Sequence, residues 1–137
     1  MDKIRALMSH LVSSEHIKRE DITRETEIVY SIGNREYFVL TQDEMDYEVK
    51  SDIERLLWAF NPDFLARFID GVDAQSIEAV QNTGICEDLN PLMLQLVGEN
   101  LDKLVEEAVQ TDGYGHFLAG YDGEHIEQDE FHIFRRN

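Results

Sequence analysis

The chain has 137 residues, 42% of them hydrophobic, with two prolines and a single cysteine. That composition excludes a disordered tail and a disulfide-stapled scaffold, and it fits one domain with a packed core. A formal net charge of -17, from 29 acidic and 12 basic residues, repels nucleic acid and anionic membrane and draws in basic partners.

The surplus has a position. Residues 1 to 35 hold six acids and six bases, whereas the remaining 102 hold 23 acids against six bases. The first residues, MDKIRALMSHLVSSEH, carry apolar positions at helical spacing rather than in an unbroken run, which argues against a signal peptide or a membrane span. With Cys86 as the only thiol, cytoplasmic localisation is the expectation.

Ile4, Leu7, Met8, Leu11 and Val12 recur at three- and four-residue steps, so residues 2 to 13 are expected to form an amphipathic helix. After a polar connector, residues 26 to 32 and 36 to 40 are rich in strand formers and flank Gly33-Asn34-Arg35, a hairpin signal. Thr41 followed by Glu44 is a capping box, and it opens a long helix reaching Phe60. Met45, Val49, Ile53, Leu56, Leu57 and Phe60 form its apolar stripe. Asp43, Glu44, Asp46, Glu48, Asp52 and Glu54 occupy much of the rest, offset only by Lys50 and Arg55.

Asn61-Pro62 restarts the chain as a helix stopped at Gly71, with Phe64, Leu65, Phe68 and Ile69 inward. Residues 73 to 83 form another helix ending at Gly84, and Asn90-Pro91 repeats the cap signal before residues 92 to 97. Residues 100 to 111 close the helical region, with Leu101, Leu104, Val105, Ala108 and Val109 inward. Residues 115 to 121 and 131 to 136 cluster aromatics around an acidic turn and read as two more strands. The expected architecture is α+β: a helix-rich single domain over residues 1 to 137, with a small antiparallel sheet built from an N-terminal and a C-terminal hairpin and covered by helices on one face.

Two places carry residues suited to a site. Carboxylates four apart on a helix lie about 6 Å apart along its axis, so the acidic face of the long helix forms a negative ladder that imitates the phosphate repeat of DNA. The plainer reading of those charges is a solvated face that keeps the protein soluble. The second place is the tail, which gathers His116, Asp122, Glu124, His125, Glu127, Asp129 and His132. Neither HExxH nor a calcium-loop pattern is present there, so no metal or other cofactor is expected. Gly113, Gly115, Gly120 and Gly123 follow a helix rather than a strand and lack a following Gly-Lys-Ser/Thr, so they serve turns rather than phosphate. Cys86 lies beside Glu87 and Asp88, which disfavour its thiolate. Trp58, Phe60, Phe64 and Phe68 are assigned to the core.

The run Thr111-Asp112-Gly113-Tyr114-Gly115-His116-Phe117-Leu118-Ala119-Gly120-Tyr121-Asp122-Gly123, with the ending Phe-His-Ile-Phe-Arg-Arg-Asn, resembles the C-terminus of small uncharacterised acidic proteins encoded by bacteriophages and prophages. The segment Trp58-Ala59-Phe60-Asn61-Pro62-Asp63-Phe64-Leu65 belongs to the same pattern, so the resemblance covers roughly residues 40 to 137. It implies a phage accessory gene and brings no activity or residue role. Charge and resemblance together lead to the expectation of a non-enzymatic, DNA-mimicking inhibitor of a host nucleic-acid-binding defence protein. Its contacts would be Asp43, Glu44, Asp46, Glu48, Asp52 and Glu54, its partner a basic host protein or nucleoprotein complex, and neither nucleic acid nor membrane would bind directly. One alternative is a small enzyme or a ligand- or metal-binding domain using His116, Asp122, His125 and His132, with His116 as a base beside Asp122. Another is a structural or assembly role through self-association as a homo-oligomer.

Overall fold

The two ends of the chain meet in one antiparallel sheet, and that pairing organises the fold. The computed structural model describes residues 2–11, 16–83 and 86–137, the side chains of Cys86 and Glu87 excepted. The expectations for residues 12 and 13, for the stop at Gly84 and for the Cys86 thiol therefore lie outside the described residues. In chain order the elements are α1 (Lys3–Leu11), β1 (Ile22–Arg24), β2 (Val29–Ile32), β3 (Arg35–Leu40) and α2 (Gln42–Leu56). They are followed by α3 (Pro62–Ala66), α4 (Ala74–Thr83), α5 (Asn90–Val97), α6 (Leu101–Asp112), α7 (Tyr114–Leu118), β4 (Ile126–Gln128) and β5 (Phe131–Arg135). The chain divides into two compact units, one made of Met1–Val49 with Asp112–Asn137 and the other of Lys50–Thr111. The fold class is α+β.

In the first unit the strand order is β1-β2-β3-β5-β4, antiparallel throughout. Gly33 takes φ +58° in the two-residue turn of the N-terminal hairpin, so Ile32 faces Arg35 and the strands begin at that pair. The centre of the sheet is β3, where Tyr37, Phe38, Val39 and Leu40 are all buried. A continuous apolar run of this kind marks a strand covered on both faces. On one face Leu7 and Leu11 of α1 pack with Ile22, Tyr30, Ile32, Tyr37, Val39 and Ile133. Phe38, Leu40 and Phe134 on the other face are buried as well, which corrects the expectation that one face alone is covered.

Two further features depart from the sequence pattern. The polar connector contains β1, a three-residue edge strand with only Ile22 buried, held by Thr26, whose hydroxyl accepts from the Ile28 and Val29 amides. Residues 115 to 121, expected as a strand, instead contribute to the short helix α7, and the C-terminal hairpin is built from β4 and β5. That helix brings backbone against backbone. At Gly115 a Cβ would sit inside van der Waals contact of the Gly123 carbonyl, 2.9 Å from its carbon, so backbone crosses backbone there and only glycine fits.

The second unit is helical. The helix α2 begins in the first unit, where its capping box forms as read: the Thr41 amide donates to Glu44 Oε1 at 2.9 Å, and the Glu44 amide donates to Thr41 Oγ1 at 3.3 Å. At its other end α2 stops at Leu56 and tightens into a 3₁₀ turn over Leu57–Ala59, which leaves Leu56, assigned to the stripe, 39% exposed. Asn61 caps α3 by accepting from the Asp63 and Phe64 amides, with Pro62 in the first turn. Phe60, Phe64 and Phe68 follow one another at centroid distances of 5.9 and 5.2 Å. Asn90 does not cap its own helix. Its side chain donates to the Glu54 carbonyl at 2.7 Å and accepts from the Trp58 amide at 3.1 Å, satisfying groups freed where α2 ends.

Two variants test this assembly by urea unfolding. Gly115→Ala should lose on the order of 1–3 kcal/mol or more, because backbone cannot yield as a side chain can. Asn90→Ala should lose about 1–3 kcal/mol for the two part-buried groups left without partners. A change near zero in either would contradict the corresponding contact.

Candidate functional site

The C-terminal hairpin turns through Asp129 and Glu130, both at positive φ (53° and 72°), and this two-residue turn sets Gln128 opposite Phe131. The register then places Glu127 directly opposite His132, and Ile126 opposite Ile133 on the other face. His125, one residue before β4, lays its ring on Phe134 at 4.8 Å and 22°. Its Nε2 lies 2.8 Å from His132 Nδ1. Only one proton fits between those two nitrogens, so one ring donates and the other accepts. Tyr114 meets the His125 ring edge-on at 5.7 Å. Burial lowers the His125 pKa, the charge of His132 lowers it further, and Glu127 opposes both. His125, Glu127 and His132 each present a ligand-type atom, and these atoms lie within 4.8 Å of one another.

Of the four tail residues expected to act together, the structure brings His125 and His132 into contact. His116 lies exposed on α7 with its ring edge-on to Phe117, and Asp122 accepts from the Glu124 amide in the turn before β4. The pairing of His116 as base with Asp122 finds no support among these contacts. Glu127 enters the cluster instead, because strand register decides which side chains face each other and that register depends on a turn without glycine.

A second polar place joins two of the tail residues, Asp122 and Glu124, to groups the sequence did not connect with them. His10, Arg35, Tyr37, Asp122, Glu124 and Arg135 line a recess of about 250 Å³ in the first unit. These residues come from α1, two strands and a turn, so no local motif announces them. Burial lowers the His10 pKa, opposed by the field of Asp122.

The acidic residues of α2 do not form one ladder. At about 100° per residue, Glu44, Glu48 and Asp52 fall on one stripe, Asp43 and Glu54 on another, and Asp46 on a third beside the buried face. Several are already engaged. Lys3 Nζ donates to Glu44 at 2.6 Å; burial pushes the Glu44 carboxyl up, but its bonds with Lys3 and Thr41 outweigh that and hold it below the ordinary range. Tyr114 donates to Asp46 at 2.8 Å and Arg55 pairs with Asp52 at 2.5 Å. Asp43 and Glu48 have no hydrogen bond or ion pair among the described residues, and Glu54 acts only through its field on Lys50.

Comparison with the models of known protein families, with curated proteins and with solved structures finds no match. No helix among the described residues is long and apolar enough to cross a membrane. The chemistry must therefore be argued from these side chains alone.

The two lowered histidines fix the sign of a pH dependence. Each binds a proton less readily in the folded chain than in the unfolded one, so its contribution is intact above the ordinary imidazole value near 6.5 and is lost as pH falls below it. Urea midpoints should hold between pH 8 and 7 and decline from about pH 6.5 towards 5. His10→Gln should make that decline shallower. A midpoint that rises as pH falls through this window would contradict the assignment.

Proposed function

We propose that this chain is a non-enzymatic binding protein that recognises a cationic surface on a host protein, of the kind that otherwise holds nucleic acid, and inhibits it by occupying that surface. The observation that carries the reading is the charge of -17, with no charged residue buried among those described, so the field acts outward. The surplus is shared. The first unit holds 17 acids against 8 bases and the second 12 against 4. A protein bearing it on both units approaches cationic partners quickly and rejects anionic ones.

Within α2 the six carboxylates contribute unequally. Among the described residues Asp43 and Glu48 carry no hydrogen bond or ion pair, while Glu44, Asp46 and Asp52 spend part of their charge on Lys3, Tyr114 and Arg55. Glu54 lies on the same outward stripe as Asp43, with Tyr47, 70% exposed, between them. Aromatic residues flanked by charge are favoured where protein surfaces meet. The resemblance of residues 40 to 137 to phage proteins supplies the context of a host target.

Pull-down from host lysate at low and high salt, with the double variant Asp43→Lys/Glu48→Lys alongside, tests the reading. A partner should be retained by the unaltered chain at low ionic strength, released as salt shortens the screening length below about 8 Å, and lost in the variant. Retention that ignores both salt and charge reversal would overturn the proposal.

A further inference from the structure

We propose that His125, Glu127 and His132 form a binding site for one divalent late first-row transition-metal ion, with Zn²⁺ as the representative, at the mouth of the C-terminal hairpin. This site is independent of charge-driven docking. Its three ligands would be His125 Nε2, His132 Nδ1 and one Glu127 carboxylate oxygen, the set whose atoms converge within 4.8 Å.

Three observations carry it. The donor chemistry is selective: imidazole suits zinc, copper, nickel and iron, whereas magnesium and calcium prefer oxygen alone. The placement is rigid on the strand side, since the β4–β5 register holds Glu127 opposite His132 and the fully buried Phe134 supports the His125 ring. The separation is also nearly right. Two nitrogens bound tetrahedrally at 2.0–2.1 Å stand roughly 3.3 Å apart, so the present 2.8 Å needs an opening of about half an ångström, within reach of small ring rotations. Glu127 is exposed, so water would complete the coordination on that side. Dense carboxylates around the hairpin, among them Glu124 and Glu130, raise the local concentration of any cation. A bound ion would tie the segment before β4 to β5 and stabilise the folded chain by an amount that grows with the logarithm of the free-ion concentration over its dissociation constant.

The test is a titration of the tag-free chain, stripped with chelator, with Zn²⁺ against a chromophoric competitor. The unaltered chain should bind one ion tightly, retain it under a large excess of Mg²⁺, and unfold at a higher temperature when loaded. Affinity should fall by at least about 10- to 100-fold in His132→Ala, since losing a ligand exceeds the loss of an outer partner, and measurably in Glu127→Gln, while His116→Gln leaves it unchanged. Should His132→Ala fail to fold, the exposed Glu127→Gln and the ring-nitrogen NMR shifts of the unaltered chain decide. Zinc must move the Nε2 signal of His125 and the Nδ1 signal of His132. Binding displaced by Mg²⁺, equal in the variants, or without those shifts would overturn the proposal.

Discussion

The hydrogen-bonded ladder between β3 and β5 is the constraint on which the first unit depends. It pairs Tyr37, Phe38, Val39 and Leu40 with Arg135, Phe134, Ile133 and His132. The contact is then locked by the last residues: the Arg136 amide donates to the Glu36 carbonyl at 2.7 Å, and Asn137 accepts from the Glu36 amide and donates to the Asn34 carbonyl. About ninety residues intervene between the two strands. Closing a loop of that length costs on the order of 4 kcal/mol, growing only slowly with length. Burying Val39, Leu40, Ile133 and Phe134, each worth about 1.5–3 kcal/mol, offsets it.

The candidate chemistry inherits its geometry from that ladder. With β5 fixed against β3, Phe134 is buried as a platform and His132 is held two pairs away on the same face, so β4 need add only three residues to bring Glu127 across. The turn that makes this register uses Asp129 and Glu130 at positive φ, a conformation that Asp tolerates and Glu rarely adopts. Local strain is therefore accepted at the point where the ligand-type side chains converge.

How much of this was legible depends on where each signal resides. Signals within a few residues read correctly: the heptad-like spacing of α1, the Thr41/Glu44 box, the Gly33-Asn34 turn and the Asn61-Pro62 start. Signals that depend on a distant partner did not. β1 has one buried residue and looks polar, because an edge strand needs only one side of the sheet. Residues 115 to 121 looked like a strand from their aromatics, yet Gly115 serves a backbone crossing with Gly123 that no spacing reveals. Asn90 beside Pro91 has the form of a cap, but its amide is spent on the end of another helix 36 residues earlier. His125, Glu127 and His132 were visible as residue types among the seven of the tail, whereas register decided that these three converge, and nothing local joined Asp122 and Glu124 to His10 and Arg35 in one recess. The acidic face of α2 was legible as composition, but which of its carboxylates are engaged was decided by Lys3, Tyr114 and Arg55.

Residue-resolved hydrogen exchange is the most direct measure of the claim that β3 and β5 open as one. The amides of Phe38, Leu40, His132 and Phe134, which alternate onto this ladder, should share one slow rate, among the slowest of Met1–Val49 with Asp112–Asn137, and accelerate together in mild denaturant. If the β5 amides exchange freely while those of β3 remain protected, the two ends of the chain are not held by this ladder and the account fails.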